Sequence, residues 1–173
     1  QPPYTKKEFW DDRAQYYHDN NAQISFPPSV TLSNVLNLQK SKNLIEIGCA
    51  AGHFSLYYLQ TFNNAENFYS LDISSKMIEL ANIAKSKAGL TTKTHHEYVV
   101  GTADDLNFLK DESLDAYVGN MVVHLVPDAN KMLQEAKRVL QKGGRIGLSV
   151  PMHDEGSLFA LIMKSIKEAG WKP

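Results

Sequence analysis

Three small residues that follow an apolar stretch are the first sign of chemistry in this sequence. Gly48, Ala50 and Gly52 come directly after residues 44–47, which are predicted to form a buried strand, and a helix is predicted from His53 onward. Glycine lacks a Cβ, so a ligand can approach the backbone closely, and a helix N-terminus offers backbone N–H groups to it. This order predicts a nucleotide-binding loop, although a glycine turn that serves only packing would give the same pattern.

A carboxylate at the end of the next predicted strand strengthens the nucleotide interpretation. Residues 68–71 form that strand, and Asp72 follows it about 20 residues beyond the loop, where an acid can accept hydrogen bonds from both ribose hydroxyls. Alternatively, Asp72 begins the next helix. Ser74 is the better N-cap, however, and this would leave Asp72 free to face the ligand.

The loop departs from the dinucleotide fingerprint, because Ala50 and His53 stand where that fingerprint has glycine. It resembles motif I of the class I S-adenosylmethionine-dependent methyltransferases, E/D-x-G-x-G-x-G, read here as Glu46-x-Gly48-x-Ala50-x-Gly52. Ala50 replaces the middle glycine and is expected to narrow the pocket floor by one methyl group. Within this class the chain looks most like the methyltransferase type 11, UbiE-like group that acts on small molecules.

Four further segments carry the same resemblance along the chain. Residues 9–17 are similar to a leader with the pattern F/W-D-x-x-A-x-x-Y, and residues 101–108 are similar to G-D-A-E-D-L-P-F. Residues 114–128 resemble F-D-x-V-x-S-N-x-x-L-H-H-V-P-D, and residues 138–145 resemble R-V-L-K-P-G-G-R, with Lys142 in place of proline. The resemblance stops before the antiparallel strand pair that usually ends this class. Either the chain is a fragment or the protein lacks that pair.

The resemblance implies S-adenosylmethionine as cofactor and S-adenosylhomocysteine as product, and it implies a role for each matching residue. The leader would be a lid near the methionine end, Asp72 would hold the ribose, and Ala103 with Asp104 would meet the adenine. The implied cofactor-binding residues are Tyr17, Glu46, Gly48, Ala50, Gly52, Asp72, Ile73, Met77, Ala103, Asp104 and Asn120. Two alternatives stay open: a leader helix that only covers the sheet edge, and a helix N-cap formed by Asp104 or Asp105.

His124 follows the fourth predicted strand, and strand four lies beside strand one in this fold class. The side chain is therefore expected near the transferable methyl, where a histidine can act as general base on the acceptor. The alternative is a histidine that closes the turn through hydrogen bonds to the backbone.

Composition narrows the class of protein and its partners. The chain has 173 residues and a formal net charge of −1, so one domain is expected and charge gives no reason to expect nucleic-acid binding. The single cysteine, Cys49, and the absence of a long apolar run or a secretory leader predict a cytoplasmic protein with no membrane segment. His95 and His96 are predicted to face opposite sides of a strand, so no metal site is expected.

These elements predict an α/β fold, a Rossmann-like doubly wound and mostly parallel sheet with helices on both faces. Residues 1–40 would form a helical lid, broken at Pro27 and Pro28 before a second helix that begins at Ser29. Residues 41–173 would form the cofactor-binding domain of a single-domain protein. A helix capped by Asp128 or Asn130 would end near residues 142–144, strand five would span residues 145–150, and a last helix would span residues 157–169.

The expected function is in-line transfer of a methyl group to a small-molecule acceptor. The alternatives are a methyltransferase for protein or RNA, a non-catalytic cofactor-binding scaffold, and an NAD oxidoreductase. Strand five would leave an exposed sheet edge, which a second copy of the chain or another partner is expected to cover.

Overall fold

Residues 2–151 and 164–165 are described by a computed structural model of the chain. Six helices and five strands form its regular structure. The helices are α1 (Lys7–Asp11), α2 (Ala14–Asn20), α3 (Ala22–Val35), α4 (His53–Thr61), α5 (Ser75–Ala88) and α6 (Ala129–Val139). The strands are β1 (Asn43–Ile47), β2 (Asn67–Asp72), β3 (His95–Val100), β4 (Leu114–Asn120) and β5 (Leu140–Ser149), and short 3-10 turns lie at Pro3–Thr5 and Leu38–Lys40.

The five strands form one sheet in the order β3-β2-β1-β4-β5, and every neighbouring pair is parallel. The strand order reverses direction between β1 and β4. In open parallel sheets the ligand site lies outside the carboxyl ends of the strands at such a reversal. The predicted Rossmann-like architecture is confirmed. It brings the loop after β1, the end of β2 and the end of β4 to the edge of the sheet where the strands have their carboxyl ends, called the carboxyl edge below.

Both faces of the central strand are buried, as its apolar residues Leu44, Ile45 and Ile47 predict. Ile45 and Ile47 pack with Met132 of α6 and with the segment after β3. Leu44 points to the other face and packs with Tyr58 of α4. The alternation follows from the two-residue period of a strand, and it leaves only the strand ends available to a ligand.

The prediction that Pro27 and Pro28 break the N-terminal segment is wrong. Helix α3 runs without interruption from Ala22 to Val35 through both prolines, and Ser29 is a buried interior residue, not a cap. The missing N–H groups weaken the helix. Tertiary contacts offset this cost, since Phe26 packs edge-on against Tyr57 with ring centroids 5.5 Å apart and Asn120 Nδ2 donates to Ser25 O at 2.9 Å.

Helix α6 also differs from its predicted bounds. Asp128 caps it, because its carboxylate accepts from Lys131 N at 3.0 Å, but the helix ends at Val139. Leu140 already pairs with Leu114 of β4, and the register then jumps so that Arg145 pairs with Ala116. Residues 141–144 therefore form a bulge in β5, with Gly143 at φ +81°. The helix predicted over residues 157–169 lies outside the described residues, apart from residues 164–165.

Arg138 connects α6 to the segment that follows β3. Its guanidinium donates to Leu106 O and Leu109 O, both at 3.0 Å, and it pairs with Glu135 and Asp111 at 2.7 Å. Glu135 in turn accepts from Leu106 N at 2.8 Å. These bonds hold Leu106 and Leu109 against α6.

We predict that Arg138→Ala lowers the free energy of unfolding by about 2 kcal/mol, because two carbonyl groups and two carboxylates lose a charged donor. Denaturant unfolding followed by circular dichroism measures this change. Lys137→Ala is the matched control, since Lys137 is exposed and adjacent on α6. Equal stability of the two variants would contradict the anchoring role.

Candidate functional site

The loop between β1 and α4 has an unusual backbone. Gly48, Ala50 and Gly52 all have positive φ, at +69°, +47° and +77°. The N–H groups of Gly48 and Cys49 both donate to Leu71 O, at 2.8 and 3.0 Å. These bonds tie the loop to β2, so the chain must bend sharply before α4 begins at His53.

Glycine is required at Gly48 and Gly52 by the surrounding protein as well as by φ. A Cβ at Gly48 would lie 2.8 Å from Cγ2 of Val122, and one at Gly52 would lie 2.3 Å from the hydroxyl of Tyr98. The space left by the missing Cβ atoms is thus filled by protein and is not open to a ligand. At the Cβ positions of Gly48 and Gly52, glycine therefore serves packing. A ligand would contact other atoms of the loop.

Asp72 joins the loop to the end of β2. One carboxylate oxygen accepts from Ala50 N at 2.9 Å and the other accepts from Ser74 N at 2.9 Å. Burial raises the pKa of Asp72 to about 6, and the two backbone hydrogen bonds oppose that rise. Ser74 caps α5 as predicted, with Oγ accepting from Met77 N at 3.1 Å.

The expectation that Asp72 is left free is wrong, because the cap and the loop both donate to its carboxylate. A carboxylate has about four lone-pair sites, so two remain for further donors such as ribose hydroxyls. Asp72 is 8% exposed and lies against the bend, as the ribose interpretation requires.

Glu46 lies beneath the loop in a buried polar cluster. Its carboxylate accepts from the hydroxyls of Ser55 at 2.6 Å and Ser70 at 3.2 Å, and Ser70 is also within 3.1 Å of Nε2 of His96. Burial raises the pKa of Glu46 to about 7 and lowers that of His96 to about 3. The hydrogen bonds of this cluster were not predicted from the sequence. Its only signal was a set of polar residues at inward-facing strand and helix positions.

The N-terminal helices reach this same edge of the sheet. Burial raises the pKa of the Tyr17 hydroxyl, and the negative charge of Asp72 adds to that rise. The His18 ring lies 5.0 Å from that of His53, the first residue of α4. Neither histidine was recognised from the sequence, because a contact between the leader and the loop leaves no local pattern.

Asn120 ends β4 and holds α3 on the sheet. Its amide nitrogen donates to Ser25 O, and its Oδ1 accepts from Ser149 Oγ at 2.6 Å. The side chain therefore connects β4 to α3 and to β5 at the carboxyl ends of the strands.

The residues predicted for adenine come from two elements: Ala103 and Asp104 follow β3, and Met77 lies in α5. Ala103 is buried, Asp104 is half-buried with Lys131 Nζ at 3.9 Å, and Met77 is 2% exposed. Ile73, between Asp72 and Ser74, is half-buried. Residues 101–108 form turns, so the alternative of a helix capped by Asp104 or Asp105 is wrong. Asp105 instead accepts from Asn107 N at 3.3 Å.

His124 is exposed in the turn that follows β4, where Leu125 N donates to Val122 O at 2.8 Å. It is at the carboxyl edge, as the sequence predicts.

Two cavities lie beside predicted site residues. One of about 650 Å³ is lined by residues of α1 and α2 and their junctions, namely Trp10, Asp12, Arg13, Tyr16, Tyr17 and Asn21. The other, of about 310 Å³, is lined by the end of β3 and the turns after it, including Gly101, Thr102 and Asp105. The first has the size of a small-molecule site, and the second borders the predicted adenine segment.

A metal site needs a cluster of ligand side chains, and a membrane span needs a long apolar helix. No group of three His, Cys, Asp or Glu side chains that could hold a metal ion occurs among residues 2–151 and 164–165. In the same part of the chain, no helix has the length and apolar character needed to cross a bilayer.

Comparison with known families gives the class. A methyltransferase-domain model matches residues 45–148, which is more than half of the chain. The chain therefore belongs to the methyltransferase domain family, the class I S-adenosylmethionine-dependent group that the motifs indicate.

Several relatives are methyltransferases with different acceptors. The chain is 34% identical over 130 residues to a fatty-acid O-methyltransferase of Mycolicibacterium smegmatis, covering 75% of this chain and 40% of the relative. It is 32% identical over 106 residues to the ubiquinone/menaquinone biosynthesis C-methyltransferase UbiE of Rickettsia typhi, covering 61% and 42%. The 27-O-demethylrifamycin SV methyltransferase of Amycolatopsis mediterranei is 28% identical over 140 residues, covering 81% and 48%. The chain thus spans less than half the length of these relatives.

Solved structures agree in fold. One neighbour, from Methanococcus maripaludis, is assigned as an S-adenosyl-L-methionine-dependent methyltransferase; it has a TM-score of 0.68 at 18% identity, covering 98% of this chain and 74% of the neighbour. Another, assigned as a methyltransferase of Haloferax volcanii and solved in complex with the Trm112 methyltransferase activator, has a TM-score of 0.70 at 20% identity, covering 84% and 62%.

The cofactor of this domain is S-adenosylmethionine, and the described residues fit it. Asp72 offers two unused lone-pair sites at the end of β2. No side chain caps the first turn of α4, so its backbone N–H groups remain suited to a carboxylate such as that of the methionine part. The carboxyl edge therefore carries acceptors for hydroxyls and donors for a carboxylate.

We predict that Ala50→Gly raises the free energy of unfolding by about 0.5–1 kcal/mol. A left-handed conformation costs an L-residue about 1–2 kcal/mol, which exceeds the extra chain entropy of glycine in the unfolded state. Ala51→Gly is the control, because Ala51 is buried without positive φ, and it should lose about 1 kcal/mol. A loss of stability in Ala50→Gly would show that the loop is not strained there.

Proposed function

We propose that this domain transfers the methyl group of S-adenosylmethionine to a small organic acceptor. The observation that carries the proposal is the bond between Asp72 and Ala50 N, because it joins the motif I loop to the ribose-binding position at the reversal of strand order. The names of three relatives support a small-molecule acceptor, since they mention a fatty acid, ubiquinone/menaquinone biosynthesis and a rifamycin.

The bound cofactor supplies a methyl group that is already activated by its sulfonium, so the protein needs little covalent chemistry. Its residues must hold an acceptor lone pair in line with the methyl–sulfur bond and exclude water. We assign the ribose to Asp72, the adenine to Ala103 and Asp104, and the methionine part to the loop and Asn120. The acceptor's lone pair would form the new bond to the methyl carbon as the methyl–sulfur bond breaks and leaves its electron pair on sulfur, which gives S-adenosylhomocysteine. An acceptor O–H or N–H would lose its proton to a base or to water.

The N-terminal helices support a small acceptor. They cover the carboxyl edge through His18 and Ser25 and line the larger cavity with Trp10, Tyr16 and Tyr17. A cavity of about 650 Å³ with aromatic walls fits a small organic molecule.

The proposed function is tested by two measurements on the chain. Calorimetry with S-adenosylhomocysteine tests for a cofactor site, and methyl transfer from labelled S-adenosylmethionine into a metabolite extract tests for catalysis. Binding with label in a small molecule is the expected result. Binding without transfer would favour a scaffold, label in protein or RNA would favour a macromolecular acceptor, and no binding would overturn the proposal.

We predict that Asp72→Ala lowers the affinity for S-adenosylhomocysteine by roughly 100-fold or more, because two hydrogen bonds to a charged acceptor are lost. Calorimetric titration measures the change. Asp115→Ala is a matched control, because Asp115 also accepts from two backbone N–H groups, Lys42 N at 2.7 Å and Asn43 N at 2.9 Å, at the opposite edge of the sheet. Unchanged affinity in Asp72→Ala would remove the ribose assignment.

We predict that His124→Ala lowers the rate of methyl transfer by roughly 100-fold and leaves the affinity for S-adenosylhomocysteine unchanged, as expected for a general base. Label incorporation and calorimetry measure the two effects. His95→Ala serves as control, since His95 is exposed at the amino end of β3. If His124→Ala transfers methyl groups at the wild-type rate, His124 is a turn residue and not the base.

A further inference from the structure

Asp11, the last residue of α1, reaches across to the N-terminus of α5. Its Oδ1 accepts from Ser74 Oγ at 2.7 Å and from Lys76 N at 3.1 Å, with Ser75 Oγ at 3.5 Å. Its Oδ2 pairs with Lys7 one turn earlier in α1. A residue of the leader thus supplies acceptors to the first turn of a helix 60 residues further along the chain.

Ser74 receives contacts from both sides of the site. Its Oγ donates to Asp11 and accepts from Met77 N, while its backbone N–H donates to Asp72 at 2.9 Å. Asp72 then accepts from Ala50 N. One continuous path of hydrogen bonds therefore runs from the leader through the α5 cap to the glycine loop.

The negative charge of Asp11 stabilises its contact with the N-terminus of α5. Burial raises the pKa of Asp11, but the hydrogen bonds from Lys7 and Ser74 outweigh it and lower that pKa to about 2, so Asp11 is ionised at neutral pH. A carboxylate at a helix N-terminus is stabilised by the helix dipole. The charge of Asp11 also adds to the raised pKa of Asp72, which is a repulsion between two like charges.

The same leader segment touches the site at other points. His18 packs on His53, and Ser25 O accepts from Asn120. None of these contacts carries a charge-assisted hydrogen bond into the carboxyl edge. The bonds from Ser74 and Lys76 to Asp11 are therefore the strongest single attachment of α1 to the cofactor edge.

We propose that Asp11 is a positioning residue for cofactor binding. It fixes the N-terminal helices over the carboxyl edge, and through Ser74 it holds Asp72 in the orientation that meets the ribose. This inference rests on the proposed function, because it assigns Asp72 to a bound cofactor. Asp11 itself contacts Ser74 and Lys76 and is not assigned to the cofactor.

The test combines S-adenosylhomocysteine titration with hydrogen–deuterium exchange on three variants of the chain. Asp11→Ala is expected to weaken binding roughly tenfold and to speed exchange in residues 72–77 and at Ala50. Asp11→Asn keeps an acceptor oxygen but loses the pairing with Lys7, so a loss of roughly threefold is expected and the fold is better preserved. Asp19→Asn is the control, since Asp19 accepts only from Gln15 on the exposed face of α2.

The outcomes distinguish a failure of the positioning role of Asp11 from a failure of the proposed function. Wild-type affinity in both Asp11 variants, or faster exchange confined to residues 7–20, would overturn the positioning role, since a merely structural residue would loosen its own helix alone. If wild-type protein fails to bind S-adenosylhomocysteine, the proposed function fails, and the exchange of residues 72–77 still decides whether Asp11 orders the α5 cap.

Discussion

The carboxylate of Asp72 is the interaction on which the candidate site depends. It accepts from Ala50 N on one side and Ser74 N on the other, so it fixes the loop after β1 relative to the start of α5. Burial makes the charge costly, as its raised pKa shows, and the two backbone donors offset part of that cost. Asp72 is buried and held in one orientation, and its carboxylate can accept two more hydrogen bonds. It is therefore suited to a pair of adjacent hydroxyls.

Beneath this contact, the loop is supported by polar side chains where a hydrophobic core would be expected. Glu46, Ser55 and Ser70 form hydrogen bonds under the start of α4, and His96 closes the cluster from β3. Such a cluster holds its members in one geometry, because each would be costly if left unpartnered. The positive φ values of the loop are thus held by neighbours on two sides, Val122 above Gly48 and Tyr98 against Gly52.

The local patterns predicted the sheet well. Short local patterns located all five strands, although β5 begins at Leu140 and not at residue 145 as predicted. The family-like segments placed β4 beside β1, because these signals are contained within short windows. The sequence failed where distant contacts decide the outcome. The prolines predict a break at residues 27–28, yet contacts with Tyr57 and Asn120 keep α3 continuous. Helix α6 ends earlier than predicted because Leu140 pairs with Leu114 of β4. Asp72 could be identified by position, whereas its bonds to the loop and the reach of Asp11 required the fold.

The most direct test of the account is a crystal structure of the chain with S-adenosylhomocysteine. The account predicts an adenosyl group at the carboxyl edge, with both ribose hydroxyls about 2.6–3.0 Å from the Asp72 carboxylate and the methionine part against residues 48–53. An adenosyl group bound elsewhere, with Asp72 contacting only Ala50 and Ser74, would contradict it.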